Sequence, residues 1–225
     1  LNSIAIVGID LHIGSQITDL LPFETAFIKI ASFIEKLREE GHSIDRVDIG
    51  GGLGISYSTK EEDPISIDKF AIMLSKIFRK LNIEIQLEPG RFISGNSGLL
   101  ITSVVYLKEG TNKNFLIIDA AMNDLIRPTL YNAHHEVVPV TSNKKTCSSI
   151  WEIVGPICES GDWLAKNREL SLSEGDLICY FSAGAYCSSM ASNYNSRRRP
   201  AEVIVNCDSS IKEIVRRDSY DDILN

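Results

Sequence analysis

Three apolar runs near the start of the chain each end in residues capable of chemistry. They are "IAIVGIDLHIG" from Ile4, "RVDIGGG" from Arg46 and "IEIQLEPGR" from Ile83. Two segments of helical period separate them. Residues 23–40 carry Phe23, Phe27, Ile30, Ile34 and Leu37 on one face, with Gly41 as a stop; residues 66–81 carry Phe70, Met73, Leu74, Ile77 and Leu81. The order β-α-β-α-β predicts a parallel sheet with right-handed crossovers. Chemistry at the C-terminal ends of parallel strands is the habit of a (β/α)8 barrel or a doubly wound sheet. A whole barrel takes about 250 residues. The pattern ends near residue 96, so three strands of a possible eight are expected in residues 1–96.

Beyond residue 96 the texture changes. "LLITSVVYL", "FLIIDA", "WEIVGP", "DLICYF" and "AEVIVN" are short apolar runs between polar loops, with helical period only near 123–132. Residues 97–225 therefore read as a mostly antiparallel β domain. Together the two parts predict an α/β plus all-β chain.

Charge and cysteine usage exclude several classes. With 23 basic and 30 acidic residues the net charge is −7, which disfavours a nucleic-acid partner. "SRRRP" at 196–200 is the only compact basic run and reads as a solvated loop. Five cysteines, at 147, 158, 179, 187 and 207, form no CxxC pair. Neither a disulfide framework nor a zinc site is expected, and a reducing cytoplasm fits. No apolar run reaches 18 residues, so no membrane span is expected. The chain opens without Met straight into an apolar run, which reads as a piece of something longer.

"DIGGGLG" at 48–54 holds four glycines in seven residues. Such a backbone serves either a tight turn or close approach by a phosphate, and the glycines alone do not choose between them. A lone His12 is more often structural than catalytic. The strand ends taken as a set carry more information. His12 offers a flat ring and Ser15 a hydroxyl; Gly50, Gly51 and Gly52 offer amides; Glu88 offers a carboxylate and Arg91 a fixed charge. A ring to stack, donors for a phosphate and a carboxylate for a pyridinium proton are what pyridoxal phosphate requires.

"LHIGSQ", "DIGGGLG", "EPGR", "MNDLIRPTLY", "GPICESGD" and "GAYCSSMASNYNSRRRPAEV" follow one another in this chain. In that order they resemble the pattern of the diaminopimelate decarboxylases, members of the fold-type III pyridoxal-phosphate group with alanine racemase and ornithine decarboxylase. The resemblance covers Gly8 to Asn206. It implies the C-terminal part of an alanine-racemase-like (β/α)8 barrel followed by a β domain of sandwich or Greek-key type, in a head-to-tail homodimer. It also implies roles. His12 stacks on the cofactor ring; Ser15, Gly50, Gly51, Gly52, Gly90 and Arg91 surround the phosphate; Glu88 faces the pyridine nitrogen; Tyr186 reaches cofactor and substrate. Arg91 lies near the substrate, and Arg127 and Tyr131 hold a substrate carboxylate. Cys158, as proton donor, and Glu159, on the distal ammonium, reach into the partner's site. His134 and His135 match no motif and read as loop residues; Cys147, Cys179, Cys187 and Cys207 read as structural.

The far end of the substrate separates the possible reactions. An arginine paired with a carboxylate at one end suits meso-diaminopimelate, which carries both a carboxylate and an ammonium there. Ornithine or arginine decarboxylation fits less well, and carboxynorspermidine is harder to exclude by charge. The implied products are L-lysine and carbon dioxide, the last step of lysine biosynthesis. The family's Schiff-base lysine lies in a motif like "YAxKAN", which is absent from this chain. This chain alone is therefore expected to be inactive, as a fragment or one half of a split enzyme lacking the N-terminal half of its barrel. A decayed gene product, or a non-catalytic pseudo-enzyme with a binding or regulatory role, is the other class.

Overall fold

The computed structural model describes residues 4–58, 64–141 and 148–224. Two compact units divide the chain, Leu1–Asn96 and Ser97–Asn225.

The first unit contains β1 (Gly8–Asp10), α1 (Leu20–Glu39), β2 (Arg46–Asp48), α2 (Ile67–Phe78), β3 (Glu84–Gln86) and the short α3 (Gly90–Ser94). The strands form a parallel sheet in the order β1-β2-β3, with Ile9 beside Val47 and Val47 beside Ile85. α1 starts three residues before the amphipathic pattern, because Asp19 caps it by accepting from the Leu21 amide (3.0 Å). Its end falls where expected, at Gly41 with φ +93°. Phe23, Phe27, Phe70 and Phe78 interlock between the two helices; the Phe23 and Phe70 rings meet edge to face at 5.3 Å. Full burial of each such ring contributes roughly 1.5–3 kcal/mol. Arg38 of α1 donates to the carbonyls of Ile44 and Leu81, fixing the segments that lead into β2 and β3.

The first apolar run departs from expectation. Only Gly8–Asp10 form strand, and Ile4 and Ile6 are 65% and 61% exposed. β1 is an edge strand of this sheet, so the residues leading into it have a neighbour on one side only.

The second unit contains β4 (Leu100–Lys108), β5 (Asn114–Ile118), α4 (Arg127–Tyr131), β6 (Val137–Pro139), β7 (Ser149–Val154), β8 (Trp163–Leu170), β9 (Leu177–Tyr180), β10 (Glu202–Val205), β11 (Ile211–Val215) and α5 (Asp221–Leu224). Six strands make one sheet in the order β6-β9-β4-β5-β7-β8, antiparallel except for β5 beside β7. The sheet nearly closes: Arg168 on the last strand donates to His134 Nδ1 (2.7 Å), just before β6 on the first. Leu116, Ile118, Ile153, Leu164 and Ile178 fill its interior. β10 and β11 form a separate hairpin. Among the described residues no helix is long and apolar enough to cross a membrane.

Tyr180 sits in this core with no exposed surface, and among the described residues its hydroxyl has no hydrogen-bond partner. Burial pushes the phenol far above its ordinary range. An unpartnered buried hydroxyl costs about 1–3 kcal/mol. Tyr180→Phe should therefore leave the melting temperature unchanged or raise it; a fall of several degrees would reveal a partner for this hydroxyl.

Candidate active site

In the first unit the strand ends converge. Leu11 N donates to the Asp48 carbonyl (3.0 Å), Ile49 N to the Gln86 carbonyl (3.0 Å) and Glu88 N to the Gly50 carbonyl (2.8 Å). These bonds carry the parallel pairing past the strands into the loops that bear His12, the glycines and Glu88. The glycines are packed against backbone. A Cβ on Gly51 would lie 2.2 Å from the Glu88 carbonyl oxygen; one on Gly50, where φ is +67°, would lie 2.5 Å from that of Leu11. Gly52 faces the Gly14 carbonyl in the same way. Two of the three amides are engaged within the chain. Gly50 N donates to Asp48 Oδ1 (2.8 Å) and Gly51 N to His12 Nδ1 (3.4 Å). The second bond makes Nδ1 an acceptor and orients the exposed ring of His12.

Arg91, on α3, donates through Nη2 to Ser15 Oγ (3.0 Å) and through Nη1 to Tyr57 Oη. Beside it, Gly90 has open space where a Cβ would project and an ordinary φ. Among the described residues no neighbour demands glycine there, unlike at positions 50–52. Asp10, Asp48 and Glu88 bring carboxylate oxygens within 4.8 Å of one another at the same sheet edge. Together they present a cluster of hydrogen-bond acceptors at the ends of the strands. Sequence reasoning found Glu88 but not its two acidic neighbours, nor Tyr57.

The second unit gathers three of the quoted motifs. Asp162 is the clasp. Its Oδ1 accepts from Met122 N (2.7 Å) and its Oδ2 from Ile157 N (2.7 Å), joining the "MNDL" and "GPICES" loops. Gly155 is tightly enclosed: a Cβ would lie 2.8 Å from the Ala120 carbonyl oxygen and closer still to the Asp162 carboxylate. Burial raises the Asp162 carboxyl above the ordinary range, and the two amides oppose that shift. Cys158 and Glu159 lie exposed at the tip of this loop, and Tyr194 Oη donates to Glu159 Oε2 (3.3 Å). Arg197, from the arginine run, ties in the third motif by donating to Asn123 Oδ1 (3.0 Å) and the Asp119 carbonyl (2.6 Å). Its guanidinium is thus part of the scaffold and not of a wholly solvated loop.

Arg127 opens α4 and is buried, with Nη1 bonded to His135 Nε2 at 2.7 Å. Tyr131, one turn on, is 62% exposed. Tyr186 has a left-handed backbone, φ +58°, which is rare for a bulky side chain and typical of functional positions. His135 is the clearest residue that sequence reasoning missed: read as a loop residue, it is 1% exposed. Cys179 and Cys187 are buried free thiols and Cys207 is an exposed one; Cys147 lies outside the described residues.

The family model described as the pyridoxal-dependent decarboxylase C-terminal sheet domain matches residues 13–184. The chain belongs to this decarboxylase family. It is 46% identical over 225 residues to a diaminopimelate decarboxylase of Aquifex aeolicus, covering all of this chain and 53% of that protein. Over 217 residues it is 46% identical to a diaminopimelate decarboxylase of Haemophilus influenzae, covering 96% and 52%. The crystal structure of diaminopimelate decarboxylase from Helicobacter pylori complexed with L-lysine superposes with a TM-score of 0.90 at 39% identity, covering 97% of this chain and 54% of that one. This member of the decarboxylase family thus spans about half the length of the curated relatives it matches.

Proposed function

We propose that this chain forms part of a diaminopimelate decarboxylase that converts meso-2,6-diaminopimelate to L-lysine and carbon dioxide. One observation carries the reading: 46% identity to a diaminopimelate decarboxylase along the whole chain. The strand-end geometry supports pyridoxal 5'-phosphate as cofactor. The unfilled space at Gly90, beside Arg91 and Ser15, suits a phosphate, and the acidic edge at Glu88 suits a protonated ring nitrogen.

In this reading Arg91 and Ser15 bind the phosphate, with Gly90 leaving it room. Gly50, Gly51 and Gly52 shape the loop around it, because two of their amides are already engaged. His12 supplies a stacking face, and Glu88, with Asp10 and Asp48 close by, holds the proton on the pyridine nitrogen. The bound cofactor supplies a conjugated sink for the electron pair released as the α-carboxylate leaves. Tyr186 contacts cofactor and substrate. Arg127 and Tyr131 bind the distal carboxylate, and Glu159 pairs with the distal ammonium. Cys158 returns a proton to the α-carbon. The exposure of Cys158 and Glu159 is compatible with their serving the site of a second copy in a head-to-tail homodimer.

We place the Schiff-base lysine and the remaining barrel strands in sequence beyond this chain, matching the extra length of the relatives. The unpartnered edge of β1, led by exposed Ile4, Ile6 and Val7, is where those strands would pair. The β domain is read as the family's Greek-key module, and the assembled enzyme as cytoplasmic.

Gly90→Ala tests the phosphate assignment. Stability should stay within about 0.5 kcal/mol, since no atom of the described residues is met. Affinity for pyridoxal phosphate in the assembled enzyme should fall about tenfold or more, as a methyl group intrudes on the ligand. Unchanged affinity would move the phosphate elsewhere. The function itself is tested by offering the assembled enzyme meso-diaminopimelate, carboxynorspermidine, ornithine and arginine. Turnover of the first with release of lysine, and its loss in Cys158→Ala, is expected. Preference for another substrate, or full turnover by Cys158→Ala, would overturn the substrate or the proton-donor assignment.

A further inference from the structure

Among the described residues, two hydrogen bonds of His135 have partners whose chemistry fixes its state. Nδ1 lies 2.8 Å from the Phe181 carbonyl oxygen, which can only accept. Nε2 lies 2.7 Å from Arg127 Nη1, which can only donate. The proton therefore sits on Nδ1, and the ring is neutral with its Nε2 lone pair aimed at the guanidinium. Both side chains are buried, at 1% and 7% exposure. The imidazole is a rigid wedge between the end of β9 and the first residue of α4.

We infer that His135 is the positioning residue for Arg127: it holds the guanidinium in the direction needed to take the substrate's distal carboxylate, without neutralising its charge. Arginine has a long, rotamer-rich side chain, and ordering it at the moment of binding would weaken affinity. A ring hydrogen-bonded at both ends supplies that order beforehand. A carboxylate in the same place would also order the arginine, but it would cancel the charge that attracts the substrate. A protonated ring would lose the bond to Arg127, because both nitrogens would then be donors. The inference rests on the proposed function, since it gives Arg127 the role assigned there.

Two substitutions divide the two bonds. Asparagine places its amide near Nδ1 and can keep the bond to the Phe181 carbonyl, but offers nothing at the depth of Nε2. Glutamine reaches that depth and can present an oxygen to Arg127. In the assembled enzyme His135→Asn should raise KM for meso-diaminopimelate about tenfold or more and change kcat about threefold at most. His135→Gln should recover most of the lost affinity. Nitrogen-15 spectra of His135 in this chain at neutral pH should show a protonated Nδ1 and a bare Nε2. Unchanged KM in His135→Asn, equal damage from both variants, or a proton on Nε2 would overturn the inference. A wild-type enzyme that fails to turn over meso-diaminopimelate would instead overturn the functional reading and the substrate part of this inference with it. The nitrogen-15 spectra then still decide the His135–Arg127 contact.

Discussion

Gly51→Ala should destabilise the first unit by about 3 kcal/mol, the upper end of what overpacking a tight site costs. The added methyl group would lie 2.2 Å from the Glu88 carbonyl oxygen and 3.1 Å from the carbon that bears it. Both are backbone atoms, so no side chain can swing aside. The loop after β3 must move, and with it the bond from Glu88 N to the Gly50 carbonyl. Denaturant unfolding of the chain measures the loss, and the assembled enzyme should also bind its cofactor poorly because Glu88 has shifted. Gly90→Ala is the control: a Cβ at Gly51 meets backbone, whereas one at Gly90 meets no described atom. Wild-type unfolding of Gly51→Ala would refute the close approach of these two loops.

Asp162→Ala should cost the second unit about 2–6 kcal/mol, because the Met122 and Ile157 amides each lose an acceptor worth roughly 1–3 kcal/mol when buried. Asp162→Asn keeps the shape but turns one oxygen into a donor that faces one of those amides, so it should lose about half as much. Both variants free the loop that carries Cys158 and Glu159. A displacement of 1 Å at a reacting group lowers rates by about a hundredfold, and kcat of the assembled enzyme should fall at least that far. The pH dependence has a definite sign. Burial raises the Asp162 carboxyl, so the folded state holds this proton more tightly than the unfolded chain. The stability linked to that proton is present below the unfolded value and is lost as pH rises through the folded one. Asp162→Asn should remove this component of the acid-side profile. Normal kcat in either variant would show that the loop keeps its shape without the clasp.

The two long helices were legible because their buried residues recur with the helical period and nothing competes with that pattern. Phe78 escaped notice although it is 2% exposed, lying one residue beyond Ile77 on the chosen face. β8 was not legible: its middle residues Lys166, Asn167 and Arg168 are polar, and only Leu164, Ala165 and Leu170 turn inward. β11 escaped for a different reason, because all five of its residues are exposed and its apolar members cover no core. At the site, the residues named in advance were those whose motifs are distinctive in one dimension. His135, Asp162, Tyr57 and Tyr194 act through partners 5 to 46 positions away, and spacing along the chain gives no sign of such pairs. The glycine run was ambiguous in sequence. Its packing against the Leu11, Gly14 and Glu88 carbonyls accounts for the three glycines, whereas no described atom crowds Gly90.

The most direct test of the central claim is intact mass after incubation with pyridoxal phosphate and borohydride, with lysine release from meso-diaminopimelate followed in parallel. It should be run on this chain alone and on the chain assembled with polypeptide supplying the remaining barrel strands. No specific adduct and no lysine are expected from the chain alone. One stoichiometric adduct, on a lysine outside this chain, and lysine release are expected from the assembly. A stoichiometric adduct on this chain with lysine release would contradict the assignment of the Schiff-base lysine to sequence elsewhere. An assembly that takes up cofactor but never releases lysine would contradict the decarboxylase reading itself.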